Sequence, residues 1–147
     1  MAITRRKDIL DDMLYRLGLI KTANGYSVTI VTVARQRDTE VEPFLPEECP
    51  ALNLRDGKAQ TLHNISDDEH QLPVSVDIHT TSDVTADDAT EILGDVVKCV
   101  NLNDTWNGHA DGTAIEGHGV DISQTADTIQ AGELDITVNY TTDKGKI

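Results

Sequence analysis

A regular alternation of apolar and polar side chains closes the chain, in the stretch AGELDITVNYTTDKG from Ala131 to Gly145. A period of two is typical of a β-strand with one buried side and one solvent-facing side. The sequence therefore predicts a terminal strand that packs its apolar side on the core. The apolar positions are Leu134, Ile136, Val138 and Tyr140, and the polar positions between them are Asp135, Thr137 and Asn139.

Two segments have the apolar spacing of amphipathic helices. The first runs from about Arg5 to Leu19, and Gly18 is a suitable stop. The second, TSDVTADDATEILGDVVKCVN, carries one apolar stripe at helical spacing, with Thr85 and Asp88 placed to form a capping box. The stripe consists of Ala89, Ile92, Leu93, Val96, Val97 and Val100.

Further strands are predicted between and after these helices. YSVTIVTVARQR, from Tyr26 to about Arg35, is apolar on both sides, which favours a central strand. ALNLRDG and AQTLHNIS indicate two shorter strands joined by a turn at Asp56-Gly57, and LPVSVDIHT alternates like the last strand. TAIEGHGVDIS indicates a strand with a bulge at its glycines. The predicted loops are DTEVEPFLPEECP, DDEH, LNDTWNGHADG and the connection from Gln124 to Gln130.

This order of elements predicts one α+β domain covering residues 1–147. We expect a largely antiparallel or mixed β-sheet with two main helices packed on one face. Apolar residues make up 38% of the chain, with one Trp, one Phe and three Tyr. The predicted core of Val, Ile, Leu and Ala is modest for the chain length, so we expect additional burial between subunits.

The charge balance limits the possible partners. Asp and Glu number 26 against 12 Lys and Arg, a formal charge of -14, which repels duplex phosphates and argues against sequence-specific DNA binding. No apolar signal-peptide segment follows the basic start, and no run is long enough to span a bilayer. We therefore expect a cytoplasmic protein without membrane contact, unless it leaves inside a larger particle. Cys49 and Cys99 are expected to be free thiols.

The richest group of potential metal ligands is His109, Asp111, Glu116 and His118. Two histidines with carboxylates between them could hold a divalent metal. Their spacing follows no metal-binding motif, so exposed polar residues around a turn are the favoured interpretation. SDDEH, from Ser66 to His70, is likewise interpreted as a solvated turn, and no nucleophile elbow or phosphate-binding loop occurs.

Four residues are candidates for an oligomer or docking interface. Arg35 and Arg37 are placed to pair with acids of an adjacent subunit, and Phe44 lies in the acidic loop that follows. Trp106 could insert into a pocket of a neighbour or cover the end of its own core. The two long loops that carry Phe44 and Trp106 are expected to have few internal anchors and to reorder on docking.

The layout as a whole carries a resemblance. ILDDMLYRLGLI leads into YSVTIVTVARQR, and an acidic, proline-bearing loop precedes PALNLRDG. LPVSVDIHTTSDVTADDATEILGDVVKCV and ADTIQAGELDITVNYTT complete the order. Over nearly the whole chain, this order resembles the tail terminator and minor tail proteins of long-tailed bacteriophages, which include head–tail joining components.

The resemblance implies a non-enzymatic virion protein without a cofactor. Such proteins are small α+β subunits that assemble as homo-oligomeric rings, commonly hexameric, in the host cytoplasm. The ring caps the tail tube, meets the head–tail connector protein and lets DNA pass. Six copies of this chain would carry a charge of about -84, which disfavours DNA sticking in the bore. Asp135, Thr137 and Asn139 are then expected to face the lumen or solvent.

Two alternatives stay open at the level of sequence. The first is a small metal-dependent hydrolase that uses His109, Asp111, Glu116 and His118. The second is an acidic adaptor or chaperone-like module that stays monomeric.

Overall fold

The computed structural model describes residues 4–122 and 126–147. Ser123, Gln124 and Thr125, in the predicted strand end and connection, and the first three residues of the basic start lie outside the described residues. Helix α1 spans Arg5–Leu17 and helix α2 spans Ala86–Leu102. The strands are β1 (Thr32–Arg35), β2 (Ala51–Asp56), β3 (Gln60–His63), β4 (Asp67–Thr81), β5 (Gly112–Val120) and β6 (Thr128–Asp143).

The strands form one mixed sheet in the order β1-β2-β4-β6-β5, with β3 also paired to β4. β1 runs parallel to β2, and the other pairs are antiparallel. β4 and β6 are the longest strands and pair from Asp67 opposite Asp143 to Thr81 opposite Thr128. The predicted α+β fold with a mixed, largely antiparallel sheet is confirmed.

One side of the sheet and both helices enclose the main core. The alternations predicted for β4 and β6 are confirmed, because their apolar residues meet in register, with Val76 opposite Leu134 and Val74 opposite Ile136. Cys99 is buried in this core as a free thiol. The helices contribute Ile9, Leu10, Met13 and Leu17 from α1 and Ile92, Leu93, Val96 and Val100 from α2.

The predicted residues Gly18, Thr85 and Asp88 lie at the helix ends, and Thr4 caps the start of α1. The Thr4 hydroxyl accepts the Lys7 N–H at 3.2 Å, and Gly18 follows the last residue of α1. At the start of α2, Thr85 Oγ1 accepts the Asp88 N–H at 3.1 Å while the Asp88 carboxylate accepts the Thr85 N–H. This reciprocal pair satisfies two N–H groups that have no partner inside the helix.

The prediction of a central strand from Tyr26 was wrong, because β1 has only four residues and lies at a sheet edge. Gly25 adopts a left-handed turn with φ of 88°. Beyond the turn, the Val28 N–H binds the buried carboxylate of Asp95 at 2.8 Å, and the Ile30 N–H binds Ile20 O. The backbone of Val28 and Ile30 is thus satisfied by a helix side chain and a loop instead of a neighbouring strand.

The DDEH segment is also not a solvated turn. It is the beginning of β4, where Asp68 and His70 are buried. Pairing with the last residues of β6 extends the strand this far and gives every second side chain an inward direction. The shorter strands β2 and β3 do not pair with each other across Asp56-Gly57; each pairs with β4 instead.

β5 contains the predicted bulge, and Gly132 of β6 allows its neighbouring strands to approach closely. A register shift between Ile115 and Gly117 confirms the predicted bulge. A Cβ added to Gly132 would lie 3.1 Å from Gly119 O and 3.4 Å from the Ile78 side chain. Gly132 therefore lets β5 and β4 approach β6 on both sides at this point.

We expect Leu93→Asp to destabilise the fold by roughly 4 kcal/mol, because it places a carboxylate in the core stripe of α2. Leu93 is 6% exposed. The matched control is Leu102→Asp on the same helix, where the leucine is 67% exposed. Urea unfolding followed by circular dichroism measures both, and equal midpoints for the two variants would contradict the packing described here.

Candidate functional site

The side of the sheet opposite the helices carries polar residues, and we call it the polar face. It is built from alternate residues of β2, β4 and β6, whose neighbouring side chains project into the core. The register aligns Arg55 with Ser75 and Asp135, and the next rank joins Asn53, Asp77 and Glu133. The polar face consists of Asn53, Arg55, Ser75, Asp77, His79, Glu133, Asp135, Thr137 and Asn139.

Arg55 holds the centre of the polar face together. Its Nη2 donates to Asp77 Oδ1 at 2.9 Å and to Glu133 Oε1 at 3.0 Å, so one guanidinium joins β2, β4 and β6. Ser75 Oγ donates to Asp135 Oδ1 at 2.8 Å on the adjacent rank. Asp77 is only 3% exposed, and its pairing with Arg55 compensates the burial of this carboxylate.

The carboxylates on this face outnumber the guanidinium that binds them. Burial and the nearby charges of Asp135 and Asp77 raise the pKa of Glu133 above its ordinary value, although Arg55 opposes this effect. The hydrogen bond that Arg55 donates to Asp77 raises the pKa of Arg55. The centre of the polar face is therefore an acidic surface with one cation, which suits contact with water or cations better than contact with phosphates.

The polar face is concave near both of its ends. A groove of about 570 Å³ is lined by residues of β5 and β6, including His118, Glu133 and Asp135. A second groove, of about 500 Å³, is lined at the other end by residues that include Gln71 and Asn139. Of the residues predicted to face a lumen or solvent, Asp135 is exposed, and Thr137 and Asn139 are half-buried. All three lie on the polar face.

The acidic loop between β1 and β2 folds over one end of the polar face. The Phe44 ring lies 4.8 Å from the ring of buried His79, and the Arg37 guanidinium lies 4.2 Å above Phe44. Arg37 also binds both carboxylate oxygens of Glu48, at 3.0 and 3.2 Å, and Thr128 Oγ1 donates to Phe44 O at 2.8 Å. The expectation of few anchors in this loop was wrong, because Arg37 and Phe44 join it to the sheet.

Burial lowers the pKa of His79 below its ordinary value. Its Nε2 has no hydrogen-bond partner within the described residues. A neutral imidazole under Phe44 is therefore the favoured state at neutral pH.

Arg35, at the end of β1 just before the acidic loop, forms an ion pair within its own chain. Its Nε and Nη2 donate to the two oxygens of Asp56 at 3.0 and 3.1 Å, and Arg6 Nη2 donates to Asp56 Oδ2 at 2.7 Å. Burial acts to raise the pKa of Asp56, but the two arginines outweigh it and hold the pKa below its ordinary value. Asp56 thus joins α1, β1 and β2, and a role of Arg35 between subunits stays a prediction.

Trp106 lies in the core of its own chain, with none of its surface exposed. Its Nε1 donates to Thr113 Oγ1 at 2.8 Å, and that hydroxyl donates to Asp104 O at 2.7 Å. Trp106, Asn107 and Gly108 all have positive φ. Of the two roles that the sequence left open for this residue, covering its own core is the one found in this structure.

The buried polar residues at the start of β4 fasten the C-terminal segment. Asp68 accepts the Gly145 N–H at 2.8 Å and lies 2.8 Å from His63 Nδ1. The two ring nitrogens of His70 lie 2.9 Å from the hydroxyls of Thr61 and Thr142. Because both nitrogens of this buried ring are engaged, the group acts as a structural fastening and has no open acid/base geometry.

The predicted metal ligands are not brought together. Gly112, directly after Asp111, pairs with Asn139, whereas His118 pairs with Leu134. Five residues along β6 correspond to roughly 17 Å. Asp111 instead accepts the hydroxyl of Thr141. Among residues 4–122 and 126–147, no group of three or more His, Cys, Asp or Glu is arranged to hold a metal ion.

Sequence reasoning missed Arg55, Asp77 and Glu133 as one group. Each lies at an alternate position of a predicted strand, so its face could have been assigned from period two. The contact of Arg55 with Asp77 and Glu133 depends on which strands are neighbours, and residues 55 and 133 are distant in the chain.

The chain matches no protein-family model and no curated protein. Neither helix in the described ranges has the length and apolarity needed to cross a membrane.

We expect Asp68→Asn to lower stability at pH 7, and this loss should shrink at acidic pH. The Gly145 N–H and His63 hold the pKa of Asp68 below its ordinary value. The charged form therefore stabilises the fold above the unfolded pKa of about 3.9, and this contribution disappears as pH falls through the folded pKa. Urea midpoints at pH 7 and pH 3 test this, with exposed Asp143→Asn as the control. A pH-independent difference for Asp68→Asn would contradict the assignment.

Proposed function

We propose that this chain is a ring-forming structural subunit of a long-tailed bacteriophage. In this role it is a tail terminator: a ring of copies caps the tail tube, joins it to the head connector and encloses the path of the DNA. The proposal begins from the order of elements, which resembles that of tail terminator and minor tail proteins. It requires no catalytic group and no cofactor.

The observation that carries the proposal is the polar face, which is open around Arg55 and Asp135 and covered at one end by the acidic loop, on a sheet whose other face is buried under helices. A subunit that lines a channel needs one side that stays in water and another that forms its own core. β4 and β6 provide both around Ser75 and Asp135, whereas Asp77 and His79 are buried toward the acidic loop. Asp135, Thr137 and Asn139 lie on the polar face, so we assign the polar face to the bore.

The electrostatics of the polar face support passage of DNA more than binding. Asp77, Glu133 and Asp135 surround one guanidinium, that of Arg55. An acidic wall repels phosphates and reduces the non-specific attraction that basic side chains would create. In a ring, the repeated carboxylates would form an acidic belt around the DNA.

We expect Asp135→Lys to keep the fold but to impair DNA passage or assembly, because each subunit would place a cation among the carboxylates of the bore. Phage complementation should fall by at least about tenfold in infectious particles, an effect of order 1.4 kcal/mol if one step is limiting. Asp104→Lys, at an exposed position after α2, makes the same charge change away from the polar face. Equal complementation by Asp135→Lys and wild type would remove the polar face from the proposed bore.

Negative-stain imaging with purified tail tubes tests the function itself. Rings at one end of the tubes, together with tubes of defined length when the protein is present during polymerisation, are the expected result. A chain that remains monomeric by light scattering and leaves tube growth unchanged would instead support the acidic adaptor. Stoichiometric metal that is lost on His109→Ala with His118→Ala would support the hydrolase.

A further inference from the structure

The charges of this chain are segregated along its sequence. Residues 1–58 contain nine Lys and Arg and nine Asp and Glu. Residues 59–143 contain 17 Asp and Glu and a single base, Lys98. The first part forms α1, β1 and β2, whereas the second forms β3, β4, α2, β5 and β6. Because β1 and β5 are the outer strands, the two lateral edges of the sheet differ in charge.

The side with the bases is formed by β1 and the helix α1 that packs beside it, and we call it the β1 flank. Exposed Lys7 lies on α1, where it pairs with Asp11, exposed Lys21 follows four residues after the helix, and Arg35 ends β1. Arg6 of α1 and Arg35 at the end of β1 both donate to Asp56, which places this side of α1 near the end of β1. Val31 before β1 is 57% exposed, so the flank also offers apolar surface.

The opposite side joins β5 to the start of α2, and we call it the β5 flank. A small apolar cluster, including Ala89 of α2, Val120 of β5 and Ile129 of β6, holds these elements together. The acids around it are all exposed, and Lys98 is the single Lys or Arg in their part of the chain. They are Asp83, Asp87, Asp88, Glu91, Glu116, Asp121 and Asp127.

Both flanks contain an open strand edge. Within the described residues, β1 pairs only with β2 and β5 pairs only with β6. The outer N–H and C=O groups of an edge strand are available to a further strand, and proteins commonly protect or use such edges. The two open edges lie at opposite ends of one sheet, which is the geometry of a head-to-tail contact.

We propose that the β1 flank of one copy docks on the β5 flank of the next copy, with their strand edges adjacent. This contact rests on the proposed function, since it supplies the subunit interface of the ring. A head-to-tail contact uses two different patches and can close into a ring. Bases that meet acids lower the repulsion between strongly acidic copies and fix the orientation of the contact.

A charge-exchange experiment tests the contact. Variant one carries Lys7→Glu and Lys21→Glu, and variant two carries Glu116→Lys and Asp121→Lys. Sedimentation velocity at low ionic strength should show wild-type self-association that weakens with salt. Each variant alone should associate at least about tenfold more weakly, because like charges then meet. An equimolar mixture should restore association, since each reversed flank finds its complement on the other variant.

The control variant, Glu40→Lys with Glu47→Lys, makes the same charge change as variant two on the exposed acidic loop. Its association should match that of wild type or exceed it through the lower net charge. A monomeric wild type, an unrestored mixture or a loss in the control equal to that in variant two would overturn the flank contact.

Imaging of tail tubes separates this proposal from the function on which it rests. Tubes capped equally well by wild type and by each reversed variant alone would leave the tail role intact and overturn the flank contact. Restored association of the mixture, combined with no binding of wild type to tubes, would support the flank contact and overturn the tail role.

Discussion

The antiparallel pairing of β4 with β6 is the constraint on which the other elements depend. These strands pair along their full length, and every other strand joins one of them or a strand already joined. Their shared register places Leu72, Val74 and Val76 on the same side as Leu134, Ile136 and Val138. A shift by one residue would exchange the core with the polar face, so the pairing determines both.

Contacts between distant segments explain how a strongly acidic chain buries carboxylates. Asp77 lies under Arg55, Asp56 accepts two arginines, Asp68 accepts a backbone N–H, and Asp95 accepts the Val28 N–H. Each carboxylate joins segments that are distant in the chain. A buried charge is tolerated where such partners replace water, and four acids thereby connect the strands, the helices and the C-terminal segment.

The segregation of charge along the chain affects how copies of this acidic protein repel or attract one another. A net charge of -14 spread evenly would make every contact between copies repulsive. Here nine of the 12 bases belong to the part of the chain that forms α1, β1 and β2. Opposite sides of one subunit can then attract while the polar face remains acidic, as the proposed ring requires.

The sequence by itself determined the local elements that depend on neighbouring residues. The helix stripe, the Thr85–Asp88 capping box, the two long alternations and the β5 bulge could all be predicted, because period and capping act within a few residues. Only the tertiary structure decided that the Tyr26 segment is mostly loop, that Asp68 and His70 are buried, and that Arg37 and Phe44 anchor an acidic loop. Those outcomes depend on which strands become neighbours. The order of strands in the sheet likewise determines that Arg55 binds Asp77 and Glu133.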